Sequence, residues 1–495
     1  MFEKAITKKT KYTNKTSKSP VTARTNFHKI SRSPHHKHTE RMQKRNLNKE
    51  SVFGKLKDEE YELLNSYPCI VDKALRLKPK QKKETFKAIR ELFQELTSER
   101  SSKNIDYLSN PTKLSAYIYY YLWWNLLRFV RLFNGLSLQI KEGDVIGDFG
   151  SGPLTLVLAL WIAKPELREK KLTFYCVDIS EKAMRIGEEI FQVLTSFTTK
   201  GIKIGKGEKK EENHKTKSND RKQEIKWKIK RVVATFGTPL KEKLDFFFSA
   251  NMFNEICWNN IKNLKVYGEK QAIIIDSYLK DSSSILIIEP GLPIGGKIIS
   301  VFRKFFLQRD YSILAPCPHV NSCPLHERQT TGQIQMMERY SSKTGKTARH
   351  PYLTEESSLA SARGKWCHFS FSTLNAPTNL LELSEKVHLA KKTASLSYLY
   401  CRKTKDDVRP NTDKKIKQET KTNNKIKIIV TSNIIKLKEE SFGVYVCSSL
   451  GFLLLKTKSF TQIKTLKSGT YLSMDVNNIS TSRDKKSGAL IVELD

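Results

Sequence analysis

Thiols bind soft metals, and four of the eight cysteines in this chain stand in surroundings that suggest ligands. Cys317 and Cys323 bracket Pro318-His319-Val320-Asn321-Ser322, with Pro316 and Pro324 just outside. The prolines exclude helix there and hold the segment extended. Cys367 lies in Trp366-Cys367-His368-Phe369-Ser370, and Cys447 follows far downstream. Cys317 and Cys323 are six positions apart, wide for a zinc knuckle, where about two to four residues intervene. His319 and His368 adjoin the cysteines and could replace a thiolate in a zinc site. Buried free thiols are the plain alternative, so spacing alone leaves metal and no metal both open. Cys69, Cys176, Cys257 and Cys401 sit in apolar helical or strand contexts and read as buried free thiols.

A second group of residues suggests a nucleoside cofactor. Asp148-Phe149-Gly150-Ser151-Gly152-Pro153 falls between a strand and a helix. Glycines there let the backbone turn sharply and approach a ligand. Asp178 ends the next strand, where a carboxylate can accept hydrogen bonds from both ribose hydroxyls, and Ile179 could cover an adenine face. Asp148 would meet the cationic methionyl end of S-adenosylmethionine, whereas a pyrophosphate would be repelled by it. A dinucleotide would also want a third glycine, and that position is Leu154. A degenerate fold without ligand is the competing reading. Methyl transfer needs alignment above all, sometimes with a base. The segment after the fourth strand offers Asn254 and Glu255 as candidates for positioning a substrate, although both could equally cap the next helix. No Asn/Asp-Pro-Pro-Tyr motif is present.

Alternating elements must hold these residues in place. The pattern predicts strands at 144–148, 172–178, 225–234, 244–249 and 284–289, with helices at 154–163, 181–196 and 296–306 between them. Apolar runs alternating with helices mean a parallel sheet covered on both faces. Residues 51–138 read as helical. Lys80–Leu96 places apolar residues at three-to-four spacing, and the aromatic stretch Ser115–Phe133 is expected to pack on the next domain. Further strands are expected at 366–372 and 397–403, and at 427–430, 443–447, 452–456 and 489–494. The domain reading is therefore a disordered basic tail (1–50), a helical region (51–138), an α/β domain (139–403) with insertions at 200–221 and 326–363, a linker (404–424) and a small β-rich module (425–495).

The 495 residues exceed what one core usually supports. Formal net charge is +37, which draws polyanions, nucleic acid first. A lysine-biased composition is the bland reading of the same number. The tail carries 14 Lys/Arg against 3 acids, together with His28, His35, His36 and His38. It favours lysine over arginine, unlike a transit peptide. The most apolar stretch, 114–136, contains Arg128 and Arg131, so no transmembrane helix is expected. No secretory signal is apparent, and the cysteines therefore read as thiols or metal ligands rather than disulfides.

These residues resemble a known family, the methyltransferase-like ribosomal small-subunit proteins: the mitochondrial small-subunit assembly factor and its bacterial relatives. The matching segments are Asp148–Pro153, Asn251–Ile256, Glu289–Pro293, Ala315–Leu325, Trp366–Ser370, Ser397–Leu399 and Val444–Cys447. The resemblance covers roughly residues 70–470, and its two cysteine motifs are highly specific. It implies an α/β, seven-stranded, Rossmann-like S-adenosylmethionine-dependent methyltransferase fold. It also implies a [4Fe–4S] cluster on Cys317, Cys323, Cys367 and Cys447, with cofactor contacts from Asp148, Gly150, Gly152 and Asp178. Leu154 stands where the family often has glycine. The implied partners are the maturing small ribosomal subunit and its rRNA, with no membrane, and the chain is expected to be monomeric off the ribosome.

Three functions follow as expectations. The first is a small-subunit assembly and translation factor carrying the cluster. The second is an active methyltransferase acting on rRNA or a ribosomal protein. The third is a zinc-stabilised nucleic-acid binder with a dead cofactor pocket. The lysine-rich tail favours bacterial cytoplasm over the mitochondrial matrix.

Overall fold

Strands rich in valine, isoleucine and phenylalanine without alternation need cover on both faces. Val145–Phe149 (β1) is such a strand, and every one of its residues is buried. A computed structural model describes residues 50–97, 107–199, 225–325, 365–403, 425–475 and 479–494. The tail before Glu50, the 200–221 and 326–363 insertions and the 404–424 linker lie outside the described residues.

Around β1 the strands Leu172–Asp178 (β2), Trp227–Val233 (β3), Leu244–Ala250 (β4) and Leu279–Pro290 (β5) run parallel to one another. Tyr311–Ala315 (β6), Phe369–Ser372 (β7) and Thr393–Lys403 (β8) complete the sheet. The order is β3-β2-β1-β4-β5-β8-β6, with β7 pairing β8 off this path. β8 is antiparallel to β5, β6 and β7. This is a doubly wound, Rossmann-like sheet whose order reverses between β1 and β4, the place where such folds bind ligands. β6 was not expected. It is five residues long and partly exposed, too short and too mixed to announce itself by pattern.

The helices 155–163, 181–199 and 293–307 fall close to their expected places. The aromatic stretch is helical from Pro111 to Gly135, with a π-helical segment at Tyr117–Leu122. Trp123 and Trp124 are fully buried, as expected of a helix packed on the sheet. Their indole N–H groups donate to the Leu64 carbonyl (2.7 Å) and the Ser384 hydroxyl (3.1 Å).

A second sheet comprises Lys425–Val430 (β9), Ile435–Lys436 (β10), Phe442–Ser448 (β11), Gly451–Thr457 (β12), Tyr471–Asp475 (β13), Ile479–Arg483 (β14) and Leu490–Glu493 (β15). Its order is β13-β9-β11-β12-β15-β14, with β10 on β11. The beginning of the described chain ties this sheet to the first. Val52 N–H donates to Gly469 (2.9 Å), Tyr471 N–H donates to Glu50 (2.9 Å), and the Phe53 ring meets Phe371 edge-on at 4.7 Å.

The glycine turn depends on its neighbours. Gly150 and Gly152 have φ of +69° and +49°, a region that favours residues without Cβ. Leu154 adopts φ +55° despite its side chain. That side chain is fully buried in the core, and Gly187 on the next helix leaves room for it. A Cβ at Gly187 would lie 2.4 Å from the Pro153 carbonyl carbon and 2.8 Å from Leu154 Cγ. Gly187→Ala is expected to lower stability. Backbone overpacking of about 3 kcal/mol outweighs the ~1 kcal/mol gained in helix propensity. A denaturation midpoint at or above wild type would show that the turn is free to move.

Candidate cofactor cavity and cysteine centre

The carboxyl ends of β1, β2, β4 and β5 open into one cavity of about 590 Å³, within the usual range for small-molecule sites. Asp148, Gly150, Gly152 and Asp178, expected from the sequence to contact a cofactor, all line it. Ile179 does too, 40% exposed beside Asp178. The Asp178 carboxylate accepts from Gly152 N–H and Ser180 N–H, both at 2.8 Å, and so clamps the glycine turn to the start of the next helix. Asp148 is 1% exposed and neither carboxylate oxygen has a hydrogen-bond partner. Burial, with Asp178 beside it, pushes its carboxyl well above the usual range. A buried acid without donors is costly unless a ligand supplies them. Leu154 does not line the cavity, so its side chain leaves the floor clear.

Asn254 and Glu255 also line the cavity, on the short turn Phe253–Ile256. The Asn254 amide donates to the Asn251 carbonyl at 2.7 Å. Backbone N–H groups of Phe253 and Asn254 donate to the two oxygens of Glu289 at 2.9 and 3.0 Å. Asn254 therefore shapes the loop as well as facing the cavity. Glu289 is fully buried, and burial raises its carboxyl to about 7.

Composition gave no sign of five further lining residues. Tyr107, Tyr117, Tyr121 and Arg128 roof the cavity from the amino-terminal helices, and Lys391 comes from the segment before β8. Burial, then Glu255, raises the Tyr107 and Tyr117 phenols. The aromatic helix thus serves as both core and roof. The one hint in the sequence was charged Arg128 inside an otherwise apolar run.

The cysteine centre is a separate small cavity of about 20 Å³, slightly more than one water needs. Cys317, Cys323, Cys367 and Cys447 all line it, with Arg303 and His319. Among the described residues no group of three His, Cys, Asp or Glu could hold a single metal ion, so the thiols share a lining without meeting at one point. They come from three parts of the fold. Cys317 and Cys323 lie on the loop after β6 and Cys367 just before β7. Cys447 is on β11, opposite Ile429 of β9 and Phe452 of β12. Gly296 permits the approach of the Cys367 segment, since a Cβ there would lie 2.9 Å from Trp366 Cβ and 3.0 Å from the Cys367 carbonyl.

Arg303, missed in the sequence, is 4% exposed on the helix Pro293–Leu307. Its Nε donates to Cys317 Sγ at 3.0 Å, and Nη2 donates to the His319 and Asn321 carbonyls at 2.9 and 2.8 Å. Burial opposes its charge, but Cys317 and Cys323 more than compensate. A buried arginine needs such partners, which is the signal that could have exposed it. His319 Nε2 lies 3.4 Å from Cys447 Sγ. Burial and Arg303 lower that imidazole to about 4. Burial pushes up the thiols of Cys317, Cys367 and Cys447, and neighbouring cysteines add to it at all three. Cys176, Cys257 and Cys401 are buried as expected, but Cys69 is exposed. It points outward from Tyr67–Leu75 while Ile70 and Val71 face the core.

A family described as "Mitochondrial small ribosomal subunit Rsm22" matches residues 260–360. The resemblance read from the sequence stands. That match contains Glu289, Cys317 and Cys323, while Cys367 and Cys447 lie beyond it. No curated protein matches the chain. Among solved structures, a putative sarcosine dimethylglycine methyltransferase from Galdieria sulphuraria is 14% identical, covering 53% of this chain and 80% of that one, with TM-score 0.23. A phosphoethanolamine N-methyltransferase 2 from Haemonchus contortus is 14% identical (61% of this chain, 60% of that one, TM-score 0.29). A putative class I S-adenosylmethionine-dependent methyltransferase from Listeria monocytogenes is 12% identical (71% and 89%, TM-score 0.28). The fold is Rossmann-like and of the methyltransferase type, and its strand order shows this without those distant likenesses.

Glu289 predicts a pH dependence. Its folded carboxyl titrates near 7, against about 4.3 for a free glutamate. The folded state therefore holds the proton more tightly. The stabilisation is complete below the unfolded value and is lost as pH rises through about 7. The loss is on the order of 3 kcal/mol. Glu289→Gln should be less stable than wild type at pH 5 and should lose less between pH 5 and 8. Parallel stability–pH curves for the two proteins would contradict the assignment.

Proposed function

We propose that this protein is an assembly and translation factor of the small ribosomal subunit. On this reading it retains a methyltransferase fold, binds S-adenosylmethionine in the 590 Å³ cavity and carries a [4Fe–4S] cluster on Cys317, Cys323, Cys367 and Cys447. The observation that carries the reading is that these four thiols line one buried cavity with Arg303. Four soft donors beside one guanidinium suit a metal centre. Metal would keep the thiols deprotonated, reversing the upward push of burial, and Arg303 would offset the charge. When bound, the cluster supplies a cross-link between the cysteine loop and β11. Zinc, the other occupant expected from the sequence, would need these donors drawn to a single point, where the described residues do not bring them.

In the larger cavity, Asp148 would receive the amine of the cofactor, Asp178 the ribose hydroxyls, and Ile179 would cover the adenine. Gly150 and Gly152 would let the backbone approach it. The +37 charge supports rRNA as the polyanion bound. The family description supports the small subunit as partner and, of the two locations expected, the mitochondrial one. Among the described residues no helix is long and apolar enough to cross a membrane.

An active methyltransferase remains the second reading, because Asn254 and Glu255 face the same cavity as Asp148. There they would align an acceptor against the methyl group. Transfer of a labelled methyl group into immature small subunits separates the two readings.

Protein isolated without oxygen should be brown and contain iron and sulfide in equal amounts. Stoichiometric zinc would replace the cluster with a zinc site, and metal-free protein would remove the centre. Cys323→Ser should speed amide exchange in the second sheet while β1–β5 keep wild-type protection; uniform loss of protection would deny the cross-link. Calorimetry with S-adenosylmethionine should give measurable heat, weakened at least about tenfold in Asp178→Ala, the value of one charged hydrogen bond. No heat in wild type leaves a scaffold alone.

A further inference from the structure

Two acids and two cations of the larger cavity stand apart. Asp178 and Asp148 lie at the ends of β2 and β1, while Glu289 ends β5, the neighbour of β8. Arg128 and Lys391 sit together beside β8. Lys391 lies over the rings of Tyr120 and Trp124, its Nζ 5.2 and 5.0 Å from their centroids. The Tyr120 hydroxyl fixes that segment by donating to the Leu389 carbonyl at 2.7 Å. Arg128 donates from Nη1 to Asn125 Oδ1 at 2.7 Å, while its buried Nε has no partner. Among the described residues neither cation forms an ion pair.

Holding two cations together without an acid is unfavourable. Burial, then Arg128, lowers the Lys391 ammonium to about 7, and burial lowers Arg128 to about 10. An oxyanion between them would remove the cost, since charge-assisted hydrogen bonds to arginine and lysine are strong. The cofactor's own carboxylate is poorly placed to do so. It is joined to the carbon bearing the amine, which the reading above puts at Asp148 on β1. β8 is three strands away, about 14 Å at the usual spacing of about 4.8 Å.

We infer that Arg128 and Lys391 form an acceptor-side subsite for an oxyanion, the phosphate of an RNA nucleotide, at the β8 end of the cavity. This rests on the cofactor occupying the Asp148–Asp178 end. The subsite would hold a nucleotide by its phosphate with its base directed toward Asn254 and Glu255. Tyr117 and Tyr121, stacked at 5.8 Å between centroids, form part of the roof against which a base could lie.

The test uses the full chain saturated with S-adenosylhomocysteine and two probes, uridine 5′-monophosphate and uridine, in calorimetry at pH 6.5. The monophosphate should bind at least about tenfold more tightly than the nucleoside. Lys391→Met and Arg128→Met should each abolish that preference, while Lys391→Arg keeps it. S-adenosylmethionine affinity should change less than about twofold in all three, well under the tenfold of one charged contact. Equal affinity for the two probes in wild type, or no binding of either, overturns the subsite. So does a large loss of S-adenosylmethionine affinity in the methionine variants, which would assign the cations to the cofactor carboxylate. Wild type that binds no S-adenosylmethionine instead overturns the cofactor reading beneath it. If Arg128→Met does not fold, the probe comparison in wild type and the Lys391 pair still decide.

Discussion

A guanidinium taken out of water must find acceptors, and Arg303 finds them in the loop that carries Cys317 and Cys323. It donates to one thiol and to two carbonyls of that loop. The loop is otherwise an extended, proline-bounded segment with little regular structure of its own. Arg303 fixes its path across the helix Pro293–Leu307, and that path sets where the thiols point. Cys447 then reaches the same cavity from the middle of the second sheet. The two sheets are held together here and where Glu50–Phe53 meets Gly469–Tyr471. The Tyr471 hydroxyl adds a third tie, donating to the Pro316 carbonyl at 3.1 Å.

The second constraint is the reversal of strand order between β1 and β4. It parts the helices above the sheet and leaves an opening that side chains from several elements fill only in part. The glycine turn, the clamp from Asp178 and the pair of N–H groups on Glu289 are local devices that keep this opening in shape. Their cost shows in Asp148 and Glu289, two carboxyls raised by burial, and in Leu154 and Asn251, two residues at positive φ. Such concentrations of strain and perturbed acidity are characteristic of places where a ligand makes up the deficit.

The two sites face different demands. The larger cavity has Asp148 and Asp178 at the ends of β1 and β2, Arg128 and Lys391 beside β8, and tyrosines in its lining. The cysteine cavity is small, apolar apart from Arg303, His319, Thr431 and its sulfurs, and lies between two sheets. Its chemistry suits holding structure together more than turning over a substrate.

Much of this was legible because local pattern and tertiary role agreed. Leu172–Asp178 is apolar apart from Thr173 and its terminal Asp178, as suits a central parallel strand, and its bounds were read directly. Asp148, Gly150, Gly152 and Asp178 occupy the ends of adjacent strands, so sequence order alone brought them together. Cys317, Cys323 and Cys367 announced themselves through proline and histidine neighbours, whereas Cys447 has neither and came with the family resemblance. What stayed hidden depended on contacts between distant segments. β6 and β13 are short edge strands defined by their partners. Cys69 looked buried by its neighbours but turned outward by helical phase. Arg303, Arg128 and Lys391 carry no motif, because a cation becomes part of a site only when folding removes its water and leaves it facing a cavity. The sequence determined which residue types could bind metal or cofactor and which strands would hold them. Tertiary structure alone decided which charges were buried, since burial is a property of the surroundings and those surroundings come from residues hundreds of positions away.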